Sequence, residues 1–220
     1  MTGASSLVGG VLVERLVDHD FDVIVLQRRT AGLEVEERLG DVADRSAVEA
    51  AIRGVDAVVH LAARASVTGS WESFERTNVD GTRNVIEAAH AAGVGRFVHV
   101  SSPSVAHTGK SLIGAAAGPA NPGSVRGHYA RSKAMAELMA LRANSPDMPV
   151  VAIRPHLIWG PGDTQLVGRI VERAKAGRLA VIGSGAALID STYVDNAADS
   201  LVAALERAPE IGGQAFVCLL

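Results

Sequence analysis

Thr2-Gly3-Ala4-Ser5-Ser6-Leu7-Val8-Gly9 stands at the head of this chain, running directly into the helical apolar spacing Val8, Leu12, Leu16. A glycine-rich turn that opens a helix offers unbonded backbone N–H groups and the positive end of a helix dipole, which together suit a pyrophosphate. Gly3 and Gly9 would let the backbone approach a phosphate closely. The three-glycine form of such a turn would place glycines at positions 3, 6 and 9, but position 6 is Ser6. Its Cβ crowds the approach, while its hydroxyl could donate to a phosphate. Ser5, Leu7 and Val8 complete the candidate phosphate-binding set. Alone, such a stretch is more often a plain turn, so its surroundings decide the fold.

Outward from it, short apolar runs at 22–26, 57–61, 96–101 and 150–154 alternate with segments of helical period. Strands that are apolar throughout are buried on both faces, so the alternation predicts an α/β fold with a doubly wound parallel sheet. Val48, Ala51 and Ile52 mark one helix face and Val85, Ile86 and Ala89 another. Gly54 and Gly93 fall where those helices should end. Helices are predicted at about 129–144 and 165–176, a strand at 214–220, and a loop at 109–127, which is rich in Gly, Ala, Ser and Pro. The glycine turn begins at Thr2, so the central strand that normally precedes it is expected to be missing. The reading divides the chain into a dinucleotide-binding and catalytic domain, 1–155, and a partial substrate-binding region, 156–220, interleaved with the last strands.

With 220 residues, 48% of them apolar, the chain can build one full α/β core. The net charge of −3 is spread over interspersed acids and bases, which argues against a nucleic-acid partner. The single cysteine, Cys218, allows no intrachain disulfide and no zinc spacing, so no metal is expected and a cytoplasmic location fits. No apolar run approaches the ~18 residues that span a bilayer, so no membrane is expected either. The partner expected is a small-molecule substrate, with a homodimer left open.

The second strand ends in Gln27-Arg28-Arg29, where folds that take NAD usually place an acid for the ribose 2′-hydroxyl. No carboxylate repels a 2′-phosphate at that point, and Arg28 and Arg29 could bind one, which favours NADP over NAD. A solvated turn is the alternative for the two arginines. Further on, Tyr129 and Lys133 lie four residues apart on one helix face, where an ammonium would favour a phenolate. A strand ends upstream in Ser101-Ser102-Pro103-Ser104, at the carboxyl edge where open α/β sheets bind ligands.

These pieces, with Gly40-Asp41-Val42, His60-Leu61-Ala62-Ala63, Asn78-Val79-Asp80-Gly81-Thr82, the 154–163 stretch and the 189–196 stretch, resemble the extended short-chain dehydrogenase/reductases. Within them the likeness is to the 3β-hydroxysteroid and sterol dehydrogenase branch, and it covers nearly the whole chain. The resemblance implies a Rossmann-type fold in which Asp41 and Val42 contact adenine. Ala62 and Ala63, with Leu61 before them, would line the cofactor, and Pro155, His156 and Ile158 would border its carboxamide. Asn78 would support the active-site helix. It also implies reversible oxidation of a secondary alcohol, with Tyr129 as base, Lys133 binding phenolate and ribose, and Ser102, chosen over Ser101 and Ser104, stabilising the oxyanion. A hydrophobic sterol-like or acyl substrate is expected. The rivals are a nucleotide-sugar epimerase, a non-catalytic NADP-binding module and an inactive fragment. Pro103 and Ser104 stand where related dehydratases carry Asp-Glu, which argues against dehydration.

Overall fold

The computed structural model describes residues 1–66, 68–109, 113–163, 167–181, 183–186 and 188–218. In chain order the elements begin with α1 (Leu7–Asp18), β1 (Ile24–Gln27), β2 (Glu36–Leu39), α2 (Arg45–Ile52) and β3 (Ala57–His60). A short α3 (Trp71–Phe74) passes into a π-helix (Glu75–Asp80) and then α4 (Gly81–Ala91). β4 (Arg96–Val100) leads to a 3-10 turn (Pro103–Ala106), and a long loop to α5 (His128–Arg142) and β5 (Val150–Pro155). The chain closes with β6 (Ile158–Trp159), α6 (Val167–Lys175), β7 (Thr192–Tyr193), α7 (Val194–Glu206), α8 (Ala208–Ile211) and β8 (Ala215–Cys218).

The large strands pair in parallel as β2-β1 and β3-β4-β5-β8. Between the two sets lie Met1 and Thr2, where a full central strand was expected and no residues were thought to remain. These two residues bond part of the facing backbone. Leu26 N–H donates to the Met1 carbonyl (2.8 Å), Thr2 N–H to Val59 (3.0 Å) and Leu61 N–H to Thr2 (3.3 Å). The buried Met1 amine donates to the Ile24 carbonyl, and burial, aided by Arg38, pushes its pKa down to about 5. Strand order therefore turns round at Thr2, so the glycine loop leaves the sheet at the switch point that ligands favour.

Alternating strand residues feed two layers. Val59, Val98 and Val151 pack with Val8, Leu12 and Leu16 of α1 and Leu201 and Leu205 of α7. Val58, Phe97 and Val150 pack on the other face with Val48 of α2, Val85 and Ala89 of α4 and Ala140 of α5. Asp44 starts α2 by accepting from the Ser46 and Ala47 amides. Gly54 and Gly93 end α2 and α4 with φ of +73° and +69°, as their placement predicts.

The predicted strands and helices form with ends shifted by one or two residues. Residues 165, 166, 219 and 220 of the predicted last helices and strand lie outside the described residues. β2 was not anticipated, because Glu36-Glu37-Arg38-Leu39 has no apolar run to announce it.

Candidate active site

At the head of the site, Gly3 has φ +79°, and a Cβ there would stand 2.8 Å from the Ala62 amide nitrogen. A Cβ on Gly9 would stand 2.3 Å from the Gly3 carbonyl oxygen. The loop, the start of α1 and the end of β3 are thus in van der Waals contact, leaving the first-turn amides of Leu7 and Val8 without intrahelical acceptors. Val8 itself is buried in the core, so only its backbone is offered to a ligand. Ser6 differs from expectation: its hydroxyl donates to the Gly3 carbonyl (2.9 Å) and accepts from the Gly9 amide (3.1 Å). It caps the helix, and its proton is already committed within the loop. Ser5 is exposed.

A cleft of about 180 Å³ opens beside this loop, lined by Gly3, Ser5, Gln27, Arg28, Asp41, Val42 and Leu61 through Ala63 among others. Arg28 lines it, and both Arg28 and Arg29 are exposed. Gln27 is buried and donates its amide to Glu37 (3.0 Å), so its Oε1 faces away from that carboxylate and has no hydrogen-bond partner in the structure. Glu37 also accepts from the Ala31 (3.1 Å) and Leu33 (3.0 Å) amides. Bonds from Thr30 first, then Leu33, hold its carboxyl down to about 2. The loop carrying the two arginines is therefore wound around one carboxylate.

Beyond the cleft, Ser102 ends the segment after β4 and caps the 3-10 turn. Its hydroxyl lies within hydrogen-bonding reach of the Tyr129 phenol and 2.9 Å from the Ser104 hydroxyl. The Ser101 hydroxyl is buried and has no hydrogen-bond partner among the described residues. Lys133, 3% exposed, donates from Nζ to the Val100 carbonyl (2.6 Å). Burial pulls its pKa down to about 8, partly offset by Glu137. Burial raises the Tyr129 phenol above its usual pKa, and Ser102 offsets this in part. The Lys133 ammonium is turned toward the Val100 carbonyl, and burial and Ser102, rather than this ammonium, set the shift of the phenol.

Asn78 ties the neighbouring elements together. Its Oδ1 accepts from the Arg64 amide (2.6 Å) and its Nδ2 donates to the Ser132 hydroxyl (2.9 Å), which in turn donates to the Tyr129 carbonyl (2.8 Å). His60 lies in a second chain of bonds. The Ala62 amide donates to Thr2 Oγ1 (3.0 Å), and Thr82 Oγ1 donates to the Asn78 carbonyl (2.7 Å). His60 Nε2 must then donate to Thr82 (2.9 Å) and its Nδ1 accept from Thr2 (2.8 Å). Burial, with Lys133 nearby, pushes His60 down to about 3. It is a neutral structural group.

Pro155 ends β5, His156 and Ile158 follow it, and none of the three lines the cleft. The His156 amide is held by Thr192 Oγ1 (3.1 Å) and the Cys218 carbonyl (3.2 Å), while Ile158 pairs with Thr192. A Cβ on Gly162 would stand 3.7 Å from Leu7 Cδ1, so this segment reaches the start of α1. Among the described residues no group of three or more His, Cys, Asp or Glu could hold a metal ion, and no helix is long and apolar enough to cross a membrane.

The sequence pattern of the NAD dependent epimerase/dehydratase family matches residues 1–218. The chain belongs to that family. This epimerase/dehydratase-family chain is 43% identical over 204 residues to a 2-alkyl-3-oxoalkanoate reductase of Stenotrophomonas maltophilia, covering 90% of this chain and 62% of the relative. It is 34% identical to the human sterol-4-alpha-carboxylate 3-dehydrogenase (decarboxylating), covering 97% and 60%. It thus spans about three-fifths of the length of these relatives. The Thermus thermophilus UDP-glucose 4-epimerase in complex with NAD superposes with a TM-score of 0.81 at 25% identity, over 99% of this chain and 76% of that one.

Sequence reasoning about this family member passed over Glu137, although a signal existed. Arg154 ends the otherwise apolar run Val150-Val151-Ala152-Ile153, and a charge on a buried strand demands a partner. Glu137 lies one helical turn beyond Lys133, within the apolar stretch Ala134-Met135-Ala136-Glu137-Leu138-Met139-Ala140.

Proposed function

We propose that this chain forms the dinucleotide-binding and catalytic part of an NAD(P)-dependent oxidoreductase that interconverts a secondary alcohol and a ketone. The observation that carries the reading is the Ser102 hydroxyl set against the Tyr129 phenol at the carboxyl edge of the sheet, with buried Lys133 one turn along the same helix. The cradle fits a dinucleotide: Gly3 and Gly9 leave no room for a Cβ, and first-turn amides and a cleft flank them. When bound, the nicotinamide supplies or accepts the hydride. Tyr129 exchanges the hydroxyl proton of the substrate. Its raised pKa keeps the phenol protonated at neutral pH, the form needed to donate to a ketone oxygen. Ser102 donates to the same oxygen and stabilises the charge that develops on it. To Lys133 we assign the binding of ribose hydroxyls and the support of the phenolate after proton transfer, which would draw its ammonium from the Val100 carbonyl. Residues 1–155 carry these groups, and 156–220 would contribute to the substrate side.

Arg28 and Arg29 favour NADP, since they stand where an acid would exclude the 2′-phosphate, and Arg28 lines the cleft. Gln27 Oε1 offers an acceptor for a ribose hydroxyl. The substrate class follows from what the two relatives share. A 2-alkyl-3-oxoalkanoate and a sterol 4-carboxylate oxygenated at carbon 3 both place a carboxylate β to the reacting oxygen on a large apolar skeleton. We therefore assign a β-keto or β-hydroxy acid of that kind. The protein mixed with a long-chain 2-alkyl-3-oxo acid should consume reduced nicotinamide, faster with NADPH than NADH, and Arg28→Ala should narrow that difference. Consumption of UDP-glucose with release of its 4-epimer, and no reaction with the keto acid, would overturn the reading in favour of an epimerase, which the Thermus likeness supports.

A further inference from the structure

We infer that Arg154 is a positioning residue that holds Ser102 and Tyr129 at their working separation, an inference that rests on the catalytic reading of that pair. Glu137 and Arg154 form a buried, bidentate ion pair, with Nε donating to Oε2 at 2.8 Å and Nη2 to Oε1 at 2.5 Å. Their side chains are 1% and 2% exposed. Arg154 has a further contact: Nη1 donates to the Gly118 carbonyl at 2.8 Å. Gly118 lies in the long loop that joins Ser102 to Tyr129 along the chain.

From Gly118 the connection runs back to the serine. Ala120 packs against Val105 of the 3-10 turn and Ala134 of α5, and the Asn121 amide donates to the Val105 carbonyl at 2.9 Å. Val105 is fully buried, three residues after Ser102. On its other side Arg154 grips Glu137, one turn beyond Lys133 and two beyond Tyr129 on α5. One guanidinium on β5 therefore fixes both the loop that seats Ser102 and the helix that carries Tyr129 and Lys133. Stability alone does not call for this arrangement, since a buried ion pair is commonly matched or bettered by apolar residues of similar volume. What an apolar pair lacks is a third donor for Gly118. Arginine can meet a carboxylate through two nitrogens and keep another for a carbonyl, whereas lysine brings one compact ammonium.

The test compares Arg154→Lys and the double variant Arg154→Met/Glu137→Leu with the unaltered protein. It reads hydrogen exchange at the Asn121 amide, NADPH affinity by titration, melting temperature and reduction of the keto acid. The double variant should melt near the unaltered protein and bind NADPH as it does. Its Asn121 amide should exchange at least about tenfold faster, and its kcat should fall roughly ten- to a hundredfold as the two groups drift apart. Arg154→Lys keeps a charge opposite Glu137 and should show the same faster exchange and lower kcat, so the outcome stands even where the double variant fails to fold. A folded variant of either kind with unchanged Asn121 protection and unchanged kcat would overturn the inference. Exchange is read without substrate, so failure of the unaltered protein to reduce the keto acid counts against the proposed function while the exchange comparison still decides the tether.

Discussion

Of the three serines that the sequence leaves adjacent, Ser102 is the one that draws down the pKa of the Tyr129 phenol. Tyr129→Phe keeps the ring and its packing but removes the exchangeable proton, so kcat should fall at least ~10²-fold with NADPH affinity unchanged. Ser102→Ala should cost a similar order, because it removes a donor to the developing oxyanion. Ser104→Ala should be milder, since its hydroxyl touches Ser102 rather than the phenol. Steady-state kinetics of the four proteins, with Ser101→Ala as the fourth variant, checks the ranking, and a Ser101 defect as large as that of Ser102 would refute it. Strand-end serines and a Tyr–Lys helix spacing are local patterns and could be singled out in the sequence, whereas the choice of Ser102 among the serines came from the family resemblance. Arg154 with Glu137, or His60 with Thr2 and Thr82, were not legible as pairs. Their partners lie 17, 58 and 22 positions away, and only the folded sheet brings them together.

At the scale of elements, Gly9 and Gly10 are neighbours in α1 with opposite demands. A Cβ on Gly9 would strike the Gly3 carbonyl, whereas on Gly10 the nearest atom is the Ala4 oxygen at 4.0 Å. Gly9→Ala must push the helix off the loop, so it should lower stability by about 1–3 kcal/mol and weaken NADPH binding. Gly10→Ala should raise stability by about 0.5–1 kcal/mol, because alanine loses less backbone freedom on entering a helix. Thermal denaturation and NADPH titration check both signs. The apolar strands and the helices α1, α2, α4, α5 and α6 were readable because burial on both sheet faces imposes their composition, whereas α7, Val194–Glu206, was not predicted. β2 was not, since its four residues lie at the sheet edge and include none that is buried. The two-residue strands β6 and β7 are too short to show any period.

For the whole molecule, the sheet interior holds two histidines, His60 and His99, facing each other with ring centroids 5.7 Å apart. Burial keeps both neutral: His60 is pushed down to about 3, and His99 lies well below its usual value, its ring nitrogens without partners in the structure. In the unfolded chain both would titrate near 6.5. The unfolded state therefore binds more protons as acid is added, and the histidines' contribution to stability is full above about 6.5 and declines below it, at up to about 1.4 kcal/mol per pH unit for each ring. For His60 the decline runs down toward its folded value of about 3. Glu37, held down to about 2 against a usual 4.5, adds its own loss only below that usual value. Lys133, lowered to about 8, changes its contribution only on the alkaline side. Denaturant midpoints should thus fall between pH 6.5 and 4.5 through the histidines, on top of the loss that the buried Met1 amine adds between its usual 8.0 and about 5, and His99→Leu should flatten that slope. An unchanged slope in the variant would place the acid sensitivity elsewhere.

The π-helix at Glu75–Asp80 closes with the Gly81 amide bonded to the Arg76 carbonyl five residues back, so that segment carries one residue more per turn than the α-helices on either side. Asn78 owes its inward aim to that surplus. Removal of a single residue from 75 to 77 would let the backbone settle into a continuous α-helix and swing Asn78 by about 100° around the axis, away from Arg64 and Ser132. Its local hydrogen bonding would improve while its alignment with α5 failed. Length, more than composition, is what this stretch must preserve, and a homologous chain one residue shorter there would have to hold its tyrosine helix by other means.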